Sequence, residues 1–228
     1  MTLPQLKYDA NGLVTVVVQD RLTGELRMLA HADEQALRAT LETGEGHFYS
    51  RSRKAPWRKG ETSGHVLRVS EMWIDCDADA VVYLVDPDGP SCHTGRTSCF
   101  FRKLESDGSL QEPEGAHARP TLPQLFAELE QRKRNPAASS YTRKLLESGV
   151  LDIGAKIREE ADELARALAN EGDERVVAEA ADEIYHLLVG LLARDLDLRA
   201  VEAELARRFG VSGLAEKASR KTNAAKGD

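Results

Sequence analysis

Three cysteines, Cys76, Cys92 and Cys99, and three aspartates, Asp75, Asp77 and Asp79, fall within residues 75–99 of this 228-residue chain, and it has no other cysteine. A thiolate is a soft donor suited to zinc and a carboxylate a hard donor suited to magnesium. The segment therefore carries donors for two different metals side by side. Strand-forming residues flank Asp75-Cys76-Asp77-Ala78-Asp79 on both sides. On an extended chain the three aspartates would face one way and Cys76 the other. An acidic turn between strands is the plain alternative for 75–79, and the clustering of every cysteine around it favours a metal site.

Upstream, Arg51, Arg53, Lys54, Arg58 and Lys59 put five cations into nine residues, followed by Gly60, Ser63 and Gly64 and interrupted by Trp57. Guanidinium forks and glycine-freed backbone N–H groups suit a phosphate-bearing small molecule. A solvated basic loop with Trp57 in the core is the alternative. Further along, Glu159, Glu160 and Glu163 share one side of a helical pattern with Lys156 one turn earlier, and Glu179, Asp182, Glu183 and His186 fill the polar window of another. Two facing acidic stripes can bind magnesium and clamp a triphosphate, or can simply be wet helix faces.

The elements that must position these residues differ between the two halves. Apolar runs at 13–18 and 26–30 flank a turn-rich spacer and read as a hairpin; Asp33 caps a helix through Glu42 that Gly44 ends; strands follow from His47, over 65–74 and over 80–85. This is an α+β domain, a curved and mostly antiparallel sheet with one helix. Residues 104–120 hold little to bury and read as a linker. Beyond it, helices begin at Thr121 or Leu122, at Ser139 or Ser140, and at caps Asp152, Asp173 and Asp197, the last running to Phe209, and form an all-α bundle. The expected division is 1–105, a linker at 106–120, and 121–228.

A formal net charge of -7 argues against nonspecific nucleic-acid binding. With no long apolar run, no secretion signal and an odd cysteine count, the expected setting is cytoplasmic, without membrane contact.

The run Ser50-Arg51-Ser52-Arg53, then Trp57 through His65, then Asp75-Cys76-Asp77-Ala78-Asp79, then Cys92-His93-Thr94-Gly95 to Ser98-Cys99-Phe100-Phe101-Arg102, closely resembles phosphoribosyl-AMP cyclohydrolase of histidine biosynthesis. His31-Ala32-Asp33 and Pro56 depart from that family's pattern, which leaves the role of Asp33 open. The resemblance implies zinc on Cys76, Cys92 and Cys99 with its fourth position kept for water, and water addition at C6 of the adenine ring with cleavage of N1–C6. It further implies magnesium on Asp75, Asp77 and Asp79, and substrate binding by Arg51, Arg53, Trp57, Lys59, Ser63, Thr94 and Arg96. His93 is the proton carrier or an orienter of the neighbouring ligand. In the family a homodimer shares the zinc, Cys76 of one chain joining the partner's Cys92 and Cys99. Zinc base deaminases are the runner-up, but no H-x-E occurs and Cys92 and Cys99 stand seven apart.

Ser140-Tyr141-Thr142-Arg143-Lys144-Leu145, the Glu-Glu-x-x-Glu of 159–163, Glu179 to His186, and Gly213 to Arg220 look like phosphoribosyl-ATP pyrophosphohydrolase, an all-helical family. This implies magnesium on Glu159, Glu160, Glu163, Glu179 and Asp182, catalytic roles for Glu163 and Asp182, and substrate contacts from Lys144 and Lys156. Its product, phosphoribosyl-AMP, is the substrate of the other half. The combined expectation is a bifunctional enzyme using Zn2+ and Mg2+. An enzyme with one active half, or a zinc-stabilised binding module with a helical dimerisation domain, is the alternative.

Overall fold

The computed structural model describes residues 3–112, 118–135 and 140–209. The chain divides into one unit of Met1–Pro120 and another of Thr121–Asp228.

In the first unit, β1 (Val14–Asp20) and β2 (Leu26–Ala32) form a hairpin, α1 (Glu34–Thr43) follows, and β3 (His47–Ser50), β4 (Ala55–Arg58), β5 (Leu67–Ile74) and β6 (Ala80–Pro87) complete a curled sheet. Its six strands run in the order β4-β3-β2-β1-β6-β5. All pairings are antiparallel except that of β1 with β6. Strict alternation explains the arrangement: Val14, Val16 and Val18 of β1 and Val81, Tyr83 and Val85 of β6 bury one face, and their neighbours lie on the other. On that face sit Ala36 and Leu37 of α1 and Phe48, whose ring stacks on Trp57 at 4.9 Å. Asp33 has a structural task here, since its carboxylate caps α1 by accepting the Ala36 N–H at 2.8 Å. Gly44, with φ 70°, ends the helix in the left-handed region.

One local expectation is corrected here, and two short features are added. Residues 75–79 form a turn, not an extended stretch: Asp75 Oδ1 accepts the N–H groups of Asp79 and Ala80 at 3.0 and 3.1 Å, and Ala78 has φ 65°. An Asx-type turn folds the chain back too tightly for period-2 alternation. The basic segment contains a strand, β4, so residues 51–54 are the tip of the β3–β4 hairpin. Beyond the sheet, β7 (Lys103–Leu104) pairs with β8 (Leu110–Gln111) in a short exposed hairpin.

The second unit consists of helices α2 (Thr121–Arg134), α3 (Tyr141–Ser148), α4 (Val150–Asn170), α5 (Asp173–Ala193) and α6 (Leu198–Arg207). Ser140 and Asp197 cap α3 and α6 through their side chains. Asp152 and Asp173 do not cap. α4 starts directly after Gly149 and α5 after Gly172, so both aspartates lie in the first turn, where they favour the positive end of the helix dipole. Phe126, Leu129, Leu145, Ile153, Leu188, Val189 and Leu192 form the core. Gly190 lets α4 and α5 approach closely, because a Cβ there would stand 3.3 Å from Ile157 Cδ1. Among the described residues no helix is long and apolar enough to cross a membrane.

Candidate functional site

The loop from Ser91 to Cys99 turns on itself and then hangs on β2. Ser91 N–H donates to Thr97 O at 3.2 Å, Cys92 N–H to Arg96 O at 3.0 Å, and Gly95 N–H to Cys92 O at 3.1 Å. Gly95 supplies the φ of 81° that closes this turn. Cys99 N–H then donates to Arg27 O at 2.9 Å and Ser98 Oγ to Leu26 O at 2.6 Å.

These bonds bring Cys92 and Cys99 together at a cavity of about 580 Å³ between the loop and the β4 hairpin. Arg53, Trp57, Lys59, Ser63 and His93 also line it. Arg51, Thr94 and Arg96 do not: Arg51 is exposed in the hairpin tip, Thr94 Oγ1 donates to Cys92 Sγ at 3.1 Å, and the Arg96 guanidinium lies 4.1 Å from the Phe101 ring centre. His65 closes one side of the cavity and packs on Gly89, where a Cβ would fall 2.4 Å from its Nδ1. The sequence marked His65 only as the end of a motif, because this contact joins residues far apart in the chain.

The charges around the two thiols are unequal. Burial raises the Cys92 pKa, but hydrogen bonds with Thr94 and Cys99 and the positive charge of Arg96 more than offset this and leave it below the ordinary value. Cys99 is pushed up to about 11 by burial and by Cys92. Lys59 is buried, and its Nζ donates to His65 O at 3.0 Å and Pro90 O at 3.4 Å. Burial lowers its pKa while the two cysteines pull it back up. Two adjacent thiols beside a fixed cation, with the exposed His93 next in sequence, are donors suited to zinc.

Cys76 lies elsewhere. It is exposed in the 75–79 turn, and among the described residues the three cysteines do not converge as one donor group. Asp75, Asp77 and Asp79 do converge, offering oxygens within 4.8 Å of one another, but they do not line the cavity. The turn's hydrogen bonds lower the Asp75 pKa, whereas the neighbouring Asp77 raises that of Asp79. Within one chain the two donor sets are therefore apart.

In the helical unit, Glu160 of α4 and Glu179 and Asp182 of α5 bring carboxylate oxygens within 4.8 Å of one another. Glu160 and Glu179 are buried, and Glu179 Oε2 has no hydrogen-bond partner among the described residues. Such an orphaned oxygen is costly unless a cation meets it, so this set fits a divalent ion. Lys156 Nζ lies 3.3 Å from Glu160 and 3.0 Å from Glu159, and Arg175 pairs with Glu179. Glu159 is exposed and Glu163 pairs with Arg166 at 3.6 Å, so neither belongs to the convergent set; Lys144 is exposed on α3.

His186 is the residue the sequence undervalued. It is buried, its Nδ1 lies 2.8 Å from Asp182 O, and its Nε2 lies 3.1 Å from Tyr141 OH. A carbonyl only accepts, so Nδ1 carries a hydrogen, and in the neutral ring Nε2 accepts from the phenol. Its place in the polar window of α5 was legible, but Tyr141 reaches it from a different helix. The motif at 213–220 lies outside the described residues.

Each unit matches a family model. Residues 28–101 match the model for phosphoribosyl-AMP cyclohydrolase, and residues 122–209 that for phosphoribosyl-ATP pyrophosphohydrolase. A relative from Wolinella succinogenes is 43% identical over 223 residues, spanning 96% of this chain and 97% of its own. One from Aquifex aeolicus is 43% identical, spanning 90% and 98%, and one from Thermus thermophilus 45% identical, spanning 84% and 86%. Each of the three is named histidine biosynthesis bifunctional protein HisIE.

Proposed function

The chain belongs to the family of bifunctional histidine-biosynthesis hydrolases that pair a cyclohydrolase with a pyrophosphohydrolase, and on that premise we propose how its two units divide the work. The helical unit hydrolyses phosphoribosyl-ATP to phosphoribosyl-AMP and pyrophosphate. The sheet unit then opens the adenine ring of phosphoribosyl-AMP between N1 and C6.

The observation that carries the second assignment is the pair of thiols at the cavity wall. Cys92 and Cys99, completed by Cys76, would hold zinc, whose chemistry would be to activate water as a nucleophile at neutral pH. Trp57, already stacked on Phe48, presents its remaining face to the purine. Arg53 and Ser63 bind phosphate, and Arg51, Thr94 and Arg96 act at the margin. Lys59 spends two of its N–H groups on the carbonyls of His65 and Pro90, so it braces both walls and offers the cavity one more donor. His93 moves a proton at N1 or C6, or else orients Cys92.

In the helical unit Glu160, Glu179 and Asp182 hold magnesium, with Glu159 completing the acidic face. Lys156 and Lys144 take phosphate oxygens, and Glu163, one turn beyond Glu160, receives the proton of the attacking water. Tyr141 and His186 fix the positions of Asp182 and Glu160.

The working protein is a cytoplasmic homodimer. One chain offers only two thiols at the cavity, so Cys76 would join Cys92 and Cys99 of the partner subunit, and Asp75, Asp77 and Asp79 of the same turn would hold magnesium. Exposed Trp73 and Ile74 on β5, next to Cys76, give the interface apolar area, as do Leu168, Val177 and Leu187 in the bundle. Purified protein given phosphoribosyl-ATP should yield the ring-opened product; a zinc chelator should stop the sequence at phosphoribosyl-AMP. Ring opening undiminished in protein stripped of zinc would overturn this reading.

A further inference from the structure

Residues 118–120, just before the helical unit, are built into the support of the thiol loop. Ala118 N–H donates to Phe100 O at 3.0 Å, one residue past Cys99. Arg119 Nε donates to Glu25 Oε1 at 2.9 Å. Glu25 is buried, and its other oxygen lies 3.9 Å from Arg27 Nη1. The same Nη1 donates to Thr97 O at 3.2 Å, and Arg27 also grips buried Asp20 through Nη2 at 2.8 Å. Thr97 O is the acceptor for Ser91 N–H, and Arg27 O for Cys99 N–H, so this cluster holds both ends of the Cys92–Cys99 loop.

Charge decides what Arg119 contributes. Asp20, Glu25 and Arg27 alone carry one net negative charge in a buried place, and Arg119 brings these four to neutrality. Without Arg119, the buried Glu25 carboxylate would lose a cationic partner and draw harder on the Arg27 guanidinium, in competition with Thr97 O. We propose that Arg119 is a positioning residue for the thiol site: through Glu25 and Arg27 it holds the Cys92–Cys99 loop in the shape that captures metal. This rests on the cyclohydrolase reading for its consequence in turnover, but not for its effect on the loop.

The test is Arg119→Gln in the full chain, with Arg119→Lys and the double variant Arg119→Gln/Glu25→Gln. In metal-free protein, alkylation of buried Cys92 reports loop opening, and exposed Cys76 in its separate turn is the reference. Arg119→Gln should raise the Cys92 rate about tenfold, the scale of one charge-assisted hydrogen bond, with Cys76 unchanged. Zinc retention against a chelator and ring-opening kcat should fall together, with KM and pyrophosphate release near wild type. Arg119→Lys and the charge-balanced double variant should recover most of the loss. A fall in global unfolding free energy large enough to account for the faster Cys92 alkylation would mean general destabilisation and overturn the proposal, as would an unchanged Cys92 rate. Failure of wild-type protein to retain zinc would overturn the cyclohydrolase reading instead, and the alkylation comparison would still decide the role of Arg119.

Discussion

Replacing Glu160 with glutamine separates a metal ligand from a structural acid. Glu160 and Glu179 are buried, and with Asp182 they bring carboxylate oxygens within 4.8 Å of one another. At that distance and an effective dielectric of about 20, each like-charged pair costs about 3.5 kcal/mol before compensation. Lys156 at 3.3 Å from Glu160, and Arg175 on Glu179, offset most of this. Glu160→Gln keeps the shape and removes one charge, so metal-free protein should be as stable as wild type or about 1 kcal/mol more stable. Magnesium at about one hundred times its Kd should stabilise wild type by about 2.7 kcal/mol, which for a unit of this size raises its Tm by roughly 10 °C. In Glu160→Gln that gain should shrink below about 1 kcal/mol. The assay is thermal and denaturant unfolding followed by the helical far-UV signal, with and without magnesium. A metal-free loss above about 1 kcal/mol would make Glu160 a structural acid. An undiminished magnesium shift would refute its role as a ligand.

Glu163→Gln should stop pyrophosphate release while keeping the magnesium shift, and Asp182→Asn should lose both; a Glu163→Gln enzyme with wild-type kcat would remove it from the chemistry. Cys92→Ser and Cys99→Ser should each abolish zinc retention and ring opening but leave pyrophosphate release within about twofold, measured on each substrate separately. Mixing Cys76→Ser with Cys92→Ser chains should restore one intact zinc site per mixed dimer, and no recovery after subunit exchange would place every site within a single chain. Phe48→Ala, emptying a fully buried position in the sheet core, should cost the first unit about 3–5 kcal/mol without lowering pyrophosphate release, and parallel loss of both activities would show that the units fold as one.

Much of this protein is written in local sequence. Period-2 burial in β1 and β6 follows directly from alternating valines, and Asp33, Ser140 and Asp197 cap helices because a short polar side chain reaches the N–H groups two or three residues on. The donor types were equally legible. Local reading failed where a turn overrode periodicity. Asp75, Asp77 and Asp79 converge because the Asp75 carboxylate folds the chain back, and not because alternate residues share a strand face. It also failed where the decisive partner is distant. Glu160 meets Glu179 and Asp182, but not Glu163, because α4 and α5 pack side by side. Lys59 is tied to carbonyls at 65 and 90. Periodicity says which residues share a face, and capping says where an element starts. Which faces meet depends on how whole elements pack, and that alone decides which carboxylates crowd into one site and which thiols become neighbours.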